Sequence, residues 1–530
     1  MLSAYAVVAA VIVQLGVVNG NIVPARLPIG TVSGHSTTVT KGKAIYNVVE
    51  FLGIPYAEPP VDGLRFTKPK PLHMVRDDPY NATFYRPFCP QVMEFLGANG
   101  VEDENCLYLN VFVPGPSLSQ TSDLAVMVWV HGGGFQSGAS NEYHGAFLAA
   151  SGNVIVVTIN YRLGVFGFLS TGDDNASGNY GLYDQAMAFQ WVHDNIHVFG
   201  GDNNRVTLFG ESAGAMSVCV QGLYPDNHGR FQRIIAESGS ALTNDLSVSN
   251  NPLPFAQSLA GHLDCESQDP KEMVDCLRQV SWETIKDKMR ELSNDPNMAA
   301  LVEFNPTADD SILKTSPKQL RAMTSDYVPE EVTFFRSLDF FSGFNAYESG
   351  LFMAYLTNGV PVNEFQPTYD DMMTNHLDMV FYFQFGRSFP DDLKRTLLHE
   401  YTNWSDPFNY ESIRLQFAKA ISDLSFAIPA VNNAMLHLDD TDSGKTYMYH
   451  FIPATNIRSP ITPEWLAGAD HMEEIAFVFG QKYDKMTDWE RQLSDRMITY
   501  WSNFAKSGLV IFHLYSPELT LTFKGLEIEN

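Results

Sequence analysis

The chain has 530 residues, of which 45% are hydrophobic and 12% aromatic, and its 38 glycines and 29 prolines are scattered rather than clustered. This composition is typical of a globular protein with a large core, and it excludes a disordered, collagen-like or coiled-coil chain. The formal net charge of −27 disfavours nucleic acid and anionic lipid as partners, because both repel an acidic protein.

The first 20 residues resemble an export signal. They carry no charged side chain, and one apolar stretch runs from Ala4 to Val18. Val18 and Gly20 are small enough for the recognition positions of a signal peptidase. A signal anchor is the alternative, but a stable membrane span needs about 20 apolar residues. We therefore predict a signal peptide over residues 1–20 and a secreted protein with no stable membrane span.

The cysteines fit an oxidising compartment. Cys89 and Cys106 are 17 residues apart, and Cys265 and Cys276 are 11 apart. Two local disulfides plus one buried thiol at Cys219 is the economical assignment. No cysteine–histidine cluster has the spacing of a zinc site, so no metal is predicted. The N-glycosylation sequons, which support secretion only weakly, are Asn81, Asn175 and Asn403.

The first two-thirds of the chain alternates apolar runs with helical patterns. LAVMVWV (124–130), NVIVVTINY (153–161) and RVTLFG (205–210) predict buried strands, and DQAMAFQWVHDNI (184–196) predicts a helix. Fully apolar strands separated by helices are typical of a parallel sheet covered on both faces. No repeat, low-complexity block or linker appears, so residues 21–530 are predicted to form a single α/β domain.

The later part of the chain is harder to interpret. Residues 265–330 and 370–445 show helical patterns and long loops, which we interpret as a cap around a pocket. The aromatic segment FFRSLDFFSGF (334–344) is predicted to be core and pocket wall rather than a dedicated binding box.

Two glycine-rich segments follow predicted strands. GESAG (210–214) fits a strand-to-helix turn that leaves its serine strained and exposed at a helix N-terminus. In HGGGF (131–135), consecutive glycines let backbone N–H groups approach a developing oxyanion. Either motif alone could be a chance match or a flexible turn, but together they predict a nucleophile and an oxyanion hole. The residues assigned are Ser212 as nucleophile and the N–H groups of Gly133, Gly134 and Ala213 as oxyanion donors.

A nucleophilic serine needs a base, and the base needs an orienting carboxylate. With 14 histidines and 61 acidic residues, spacing cannot select either one. Ordered motifs along nearly the whole chain, however, resemble those of the type-B carboxylesterase/lipase family. FLGIPYAEPPVDGLRF (51–66) resembles its N-terminal signature, ENCLYLNVFVP (104–114) its cysteine-loop signature, and FGGDNNRVTLFGESAGA (199–215) its nucleophile signature.

The resemblance implies an α/β-hydrolase fold: a large central, mostly parallel sheet flanked by helices on both faces, with helical cap insertions. It also implies a triad in the chain order nucleophile, acid, base. Glu348 in GFNAYESG (343–350) resembles the family's acid turn. His471 in GADHMEEIAFVFG (468–480) resembles its histidine segment. Other local candidates for orienting the imidazole, or for ordinary structural pairing, are Asp470, Glu473 and Glu474.

The resemblance further implies structural pairs. The disulfides would join Cys89 to Cys106 and Cys265 to Cys276. Two ion pairs are implied as well, Arg65 with Glu104 and Arg162 with Asp184. Glu211, beside the candidate nucleophile, is expected to act electrostatically on the site or to form a salt bridge.

Other segments bear on the branch of the family. No tryptophan lies between Cys89 and Cys106, where cholinesterases place a choline-stacking residue, so a quaternary ammonium substrate is disfavoured. Residues 152–185 and 468–471 resemble the bile-salt-activated lipase (cholesterol esterase) branch most, although that branch typically uses Asp where this chain has Glu348. After residue 508 the chain departs from the usual family pattern.

The sequence thus predicts a secreted, glycosylated serine carboxylic-ester hydrolase that cleaves apolar acyl esters. The expected partner is a small-molecule or lipid ester, with no metal or organic cofactor, and the sequence leaves the oligomeric state open. One alternative is an interfacial lipase or cholesterol esterase. Another is a non-catalytic adhesion or scaffold protein on the same fold, which the intact triad disfavours.

Overall fold

The computed structural model describes most of the chain. The described residues are 20–75, 77–92, 100–243, 251–293, 304–309, 311–323, 328–350, 353, 362–372, 377, 390–438, 444–459 and 462–510. The signal peptide predicted over residues 1–20 therefore lies, apart from Gly20, outside the described residues. The same is true of most of the atypical C-terminal segment, because description ends at Val510.

A single mixed sheet of 11 strands organises the described part of the chain. Its strands are β1 (Ile22–Leu27), β2 (Gly30–Lys41), β3 (Ala44–Pro55), β4 (Tyr80–Asn81), β5 (Tyr108–Pro114), β6 (Leu124–Val130), β7 (Ile155–Ile159), β8 (Gly201–Glu211), β9 (Arg233–Glu237), β10 (Asp339–Asn345) and β11 (Thr446–Phe451). Their order is β1-β2-β3-β5-β7-β6-β8-β9-β10-β11, and β4 pairs with β2.

The sheet has an antiparallel part and a parallel part. Neighbouring strands from β1 through β3 and β5 to β7 pair antiparallel. From β7 through β6, β8, β9 and β10 to β11, every neighbouring pair is parallel. Together with the helices, this sheet confirms the expected α/β-hydrolase fold. The three predicted apolar strands supply β6, β7 and the second half of β8.

Helices cover the sheet on both sides. They are α1 (Ala146–Gly152), α2 (Gly164–Phe168), α3 (Tyr180–Asn195), α4 (Ala213–Gly222), α5 (Leu253–His262), α6 (Pro270–Gln279), α7 (Trp282–Ser293), α8 (Pro317–Ala322), α9 (Glu330–Ser337), α10 (Tyr369–Asp371), α11 (Asp391–Glu400), α12 (Tyr410–Ser422), α13 (Ile428–His437), α14 (Ile475–Val478) and α15 (Asp488–Ser507). A π-helical segment, Asp423–Ala427, joins α12 to α13.

Alternation along the central strands explains why both faces are buried. Successive side chains of a strand point to opposite faces, so in β6 Val128 packs into one core cluster and Trp129 into the other. Phe189 of α3 belongs to the first cluster and Trp501 of α15 to the second. Burying a large apolar side chain contributes ~1.5–3 kcal/mol relative to exposing it. A separate small cluster lies among α10, α11 and α12 and includes Phe417.

Two buried ion pairs and two disulfides fasten the loops around this core. Arg162 donates to both carboxylate oxygens of Asp184 at 2.7 Å, and Arg65 does the same to Glu104 at 2.6 Å. Each bidentate pair sets a buried positive charge against a buried negative one, which reduces the cost of taking both out of water. The expected disulfides both form, Cys89–Cys106 and Cys265–Cys276.

The ends of neighbouring parallel strands bring the candidate site together. In the register of the sheet, Glu211 at the end of β8 lies opposite Glu237 at the end of β9, which in turn pairs with Gly343 of β10. The loops that leave these ends therefore begin side by side. This is the edge of a parallel α/β sheet at which ligands bind.

Candidate active site

Ser212 occupies the tight turn between β8 and α4. Its backbone has φ 57° and ψ −124°, a conformation that strains a residue with a side chain and persists only when its surroundings enforce it. The Ser212 N–H donates to the Glu237 carbonyl at 2.9 Å, which fixes the turn to β9. A Cβ at Gly214 would come within 2.0 Å of the Val130 carbonyl oxygen, so only glycine fits there.

The glycine loop after β6 lies against this turn. A Cβ at Gly132 would be 3.1 Å from the Ser212 Cβ and 2.6 Å from the Glu211 carbonyl oxygen. Ala213 is the first residue of α4, so its N–H has no partner within the helix. Across the described residues we find no acceptor for the N–H groups of Gly133, Gly134 or Ala213. These three predicted donors are therefore available to a ligand.

Glu348 and His471 form a short, buried pair. The Nδ1 atom of His471 lies 2.6 Å from Oε2 of Glu348, and the two side chains are 2% and 0% exposed. The other carboxylate oxygen, Oε1, accepts from the Asn345 N–H at 2.6 Å and from the Ser238 hydroxyl at 2.7 Å. Both oxygens of Glu348 thus have partners, and one of these partners is the imidazole.

The three other acids near His471 bind elsewhere. Asp470 accepts from the Gly350 N–H at 2.9 Å, and Glu473 accepts from the Asp470 N–H at 3.1 Å. Glu474 accepts from the Asn345 side-chain amide at 2.5 Å. Each of the three acids therefore accepts a hydrogen bond from a residue near the pair. Glu348 is the carboxylate that contacts Nδ1 of the His471 ring.

Glu211 contacts the opposite nitrogen of the imidazole. Its Oε1 lies 3.0 Å from Nε2 of His471, so the ring stands between two carboxylates, and one of them belongs to the residue that precedes Ser212 in the turn. Burial alone would lower the pKa of His471. The charge of Glu211 and the hydrogen bond with Glu348 outweigh burial and raise this pKa to about 10. This geometry stabilises the protonated ring, the form that arises when a histidine has taken a serine proton.

Further buried carboxyl groups surround the pair. Burial, followed by the charge of Glu348, raises the pKa of Glu474 to about 7. Burial also raises the pKa of Glu237, and the Glu237 Oε1 atom accepts from the Trp501 indole N–H at 2.9 Å. Acids at raised pKa beside a basic group are a feature of functional sites.

The sequence did not identify four residues that contact this pair. They are Ser238, Asn345, Ser422 and Phe426. Asn345 lies within the acid segment quoted above, so a local signal existed for it. The other three have no local signal, because their contacts join positions 45 to 110 residues apart along the chain.

The sequons and the single thiol also have defined surroundings. Asn81 and Asn403 are exposed, and the hydroxyl two residues later donates to each Oδ1, at 2.8 and 2.6 Å. Asn175 is half-buried, and its side-chain amide donates to Asp173 at 3.1 Å. Cys219 is buried within α4, and burial raises the pKa of its thiol to about 12.

The described ranges contain neither a cluster suited to a metal ion nor a membrane-spanning helix. No group of three or more His, Cys, Asp or Glu side chains in them is arranged to hold a metal ion. No helix among the described elements is long and apolar enough to cross a membrane.

The mixed sheet, the strained serine turn after β8 and the buried Glu–His pair define an α/β-hydrolase-fold protein. The chain belongs to the carboxylesterase family, because the model of that family matches residues 19–517. It is 34% identical over 506 residues to liver carboxylesterase 1F of Rattus norvegicus, covering 88% of this chain and 85% of that protein. It is 35% identical over 487 residues to carboxylesterase 1E of Mus musculus, covering 87% and 82%.

A second group of relatives carries a different name. The chain is 35% identical over 513 residues to neuroligin-2 of Mus musculus. That match covers 87% of this chain and only 57% of the length of neuroligin-2. Both kinds of relative are therefore similar to this chain at about the same identity.

Proposed function

We propose that the protein is a serine carboxylic-ester hydrolase in which Ser212 is the nucleophile, His471 the general base and Glu348 the orienting acid. The observation that carries the proposal is the buried pair of Glu348 and His471, with 2.6 Å between its atoms, beside the strained Ser212 turn. The three unpartnered N–H groups of Gly133, Gly134 and Ala213 add support, because acyl transfer needs donors for an oxyanion.

The chemistry follows from these positions. His471 takes the proton of the Ser212 hydroxyl through Nε2, and the serine oxygen attacks the ester carbonyl. The negative charge that forms on the carbonyl oxygen is stabilised by the glycine-loop and Ala213 N–H groups, each worth ~3 kcal/mol. Glu348 holds the imidazole tautomer and stabilises the imidazolium. The alcohol leaves with the proton from His471, and water then hydrolyses the acyl-enzyme by the same steps.

The substrate class we propose is an ester with an apolar acyl group. Membership of the carboxylesterase family and a relative named liver carboxylesterase support an ester substrate, and the apolar acyl group is what the resemblance of the sequence motifs implies. Hydrolysis of lipid or steryl esters at an interface is the variant suggested by the resemblance to the bile-salt-activated lipase branch. That branch remains a prediction, since the relatives reported above are carboxylesterases and neuroligins.

We also propose that the protein is secreted and glycosylated. The two disulfides support an oxidising compartment. At Asn81 and Asn403 the exposure of the side chain and its contact with the sequon hydroxyl are compatible with modification. The signal peptide at residues 1–20 remains a prediction from the sequence.

A non-catalytic role on the same fold is the second candidate. The observation that favours it is the 35% identity with neuroligin-2, a name that refers to no enzyme activity. The intact Ser212 turn and the Glu348–His471 pair favour the esterase instead.

Hydrolysis of p-nitrophenyl esters from acetyl to palmitoyl separates these candidates. We expect turnover in the wild type and none above background in Ser212→Ala. Ser217→Ala is the matched control, because this buried serine on α4 contacts Gln185 rather than the pair. The length of the acyl chain that is hydrolysed fastest distinguishes a carboxylesterase from a lipase. No turnover of any ester would contradict the esterase proposal for these substrates and leave the non-catalytic candidate in its place.

A further inference from the structure

Ser422 lies where the helix beside the candidate site changes its winding. It is the last residue of α12, and the π-helical segment Asp423–Ala427 follows it directly. Ser422 is 4% exposed. π-Helical turns are rare in proteins and are frequently found at functional sites.

The Ser422 hydroxyl uses both its donor and its acceptor capacity. It donates to the Ala418 carbonyl one turn earlier, at 2.7 Å. It accepts from the backbone N–H of Glu348, at 2.8 Å. The bond to Ala418 fixes the direction of the hydroxyl hydrogen, and this leaves a lone pair for Glu348. One side chain therefore links helix α12 to the turn that carries the acid.

That turn is held by several backbone hydrogen bonds. The Ala346 N–H donates to the Phe451 carbonyl and the Tyr347 N–H to the Ala469 carbonyl, both at 2.9 Å. Glu348 itself is fully buried, and among the described residues Ser422 is the acceptor found for its N–H. Without that hydroxyl, a buried donor next to the carboxylate would lose its partner.

The same helical junction also contacts the imidazole. The Phe426 ring, four residues after Ser422, lies against the ring of His471 with centroids 4.8 Å apart. The segment that begins at Ser422 thus contacts both members of the Glu348–His471 pair. A shift of this junction would move the acid and the base together.

We propose that Ser422 is a positioning residue: its hydroxyl fixes the backbone of Glu348 and thereby the alignment of the Glu348 carboxylate with His471. This inference deepens the proposed function and rests on it for its catalytic consequence. The alignment itself is a property of the folded chain, and it can be measured whether or not the protein hydrolyses esters.

The first test measures alignment without activity. In the proton NMR spectrum, the Nδ1 proton of an imidazole held by a carboxylate gives a far-downfield signal. His471→Gln assigns that signal by removing it. We expect Ser422→Ala to shift it upfield or broaden it through exchange with water, and Ser422→Thr, which keeps the hydroxyl, to restore it. Ser494→Ala is the matched control, because this fully buried helical serine donates to the Phe477 carbonyl.

The second test measures the catalytic consequence with a p-nitrophenyl ester. An unsatisfied buried N–H beside the acid should lower kcat about 5- to 50-fold in Ser422→Ala and leave KM within about twofold. We expect Ser422→Thr to recover most of the lost kcat and Ser494→Ala to retain wild-type kcat. If Ser422→Ala does not fold, Ser422→Cys, which keeps the size of the side chain with a weaker acceptor, replaces it.

The outcomes distinguish the two proposals. An unchanged NMR signal in a folded Ser422→Ala or Ser422→Cys variant would overturn the role of Ser422. So would an equal change in the Ser494→Ala control. A wild type that shows the downfield signal but hydrolyses no ester would contradict the proposed function, while the NMR comparison would still decide the role of Ser422.

Discussion

The contact between Glu211 and His471 leads to a prediction about pH dependence. The Nε2 atom that must accept the serine proton lies 3.0 Å from Glu211 Oε1, and His471 has a pKa raised to about 10. A protonated imidazole cannot act as a base, so activity is lost as the pH falls through the pKa of His471. Glu211→Gln removes a negative charge, lowers that pKa and moves the acid limb of the pH–rate profile to lower pH.

The expected size of the shift follows from Coulomb's law. At 3.0 Å and an effective dielectric constant of about 20, the charge pair is worth ~5.5 kcal/mol. That energy corresponds to ~4 pKa units. It is an upper bound, because burial disfavours the charged form of Glu211 and raises the pKa of its carboxyl group. We therefore expect a downward shift of between about 1 and 4 units.

The assay is the initial rate of p-nitrophenyl ester hydrolysis between about pH 5 and pH 11, a range that extends past the raised pKa of His471, with the rate without enzyme subtracted and kcat/KM fitted to the acid limb. Glu237→Gln is the matched control. Glu237 is equally buried at the end of the neighbouring strand, but it bonds to Trp501 instead of the imidazole. An acid limb that stays in place or moves upward in Glu211→Gln would refute the reasoning. An equal shift in Glu237→Gln would show that the effect is not specific to the contact.

Other predictions concern stability and reactivity. Asp184→Asn leaves the buried Arg162 guanidinium without its counter-charge and should lower the free energy of unfolding by ~3–5 kcal/mol in urea titrations. Replacing Cys265 and Cys276 with serine opens a loop of 11 residues and should remove ~3 kcal/mol by the same measurement. Cys219, with its thiol pKa raised to about 12 by burial, should react with a maleimide only after denaturation.

Controls for these predictions are present in the same chain. Arg395 and Asp392 form an exposed pair within α11, so Arg395→Ala should leave the urea midpoint unchanged. Equal losses in Arg395→Ala and Asp184→Asn would contradict the importance of burial. A midpoint that is insensitive to loss of the second disulfide, or rapid labelling of the thiol in the native protein, would contradict the other two predictions.

The central sheet was predictable because its strands carry a strong local pattern. Residues 124–130 are apolar throughout, and the strand they form is buried from Ala125 onward, with Val128 and Trp129 facing opposite cores. The antiparallel strands β1 to β3 were not predicted. Each of them is buried over only part of its length, so none carries the continuous apolar run that marks the central strands. For residues 265–330 and 370–445 the sequence predicted helices and loops but not their packing, since packing depends on contacts between distant residues, and the cap around a pocket remains a prediction.

In the candidate site, too, some residues could be predicted from the local sequence and others could not. Ser212 and its glycines could be found locally, because the turn itself demands those residue types. Glu348 and His471 are 123 residues apart, and only the family resemblance selected them. The approach of Glu211 to the imidazole and the link from Ser422 to the acid turn depend on tertiary packing. No spacing in the sequence encodes either contact.

Covalent labelling tests the central claim most directly. The purified protein is treated with a fluorophosphonate, digested, and mapped by mass spectrometry, with Ser212→Ala and His471→Ala in parallel. The account predicts a single phosphonate on the peptide that contains Ser212, no label in Ser212→Ala and much slower labelling in His471→Ala. A folded wild-type protein that takes up no label, or takes it up at another residue, would contradict the claim that Ser212 is an activated nucleophile.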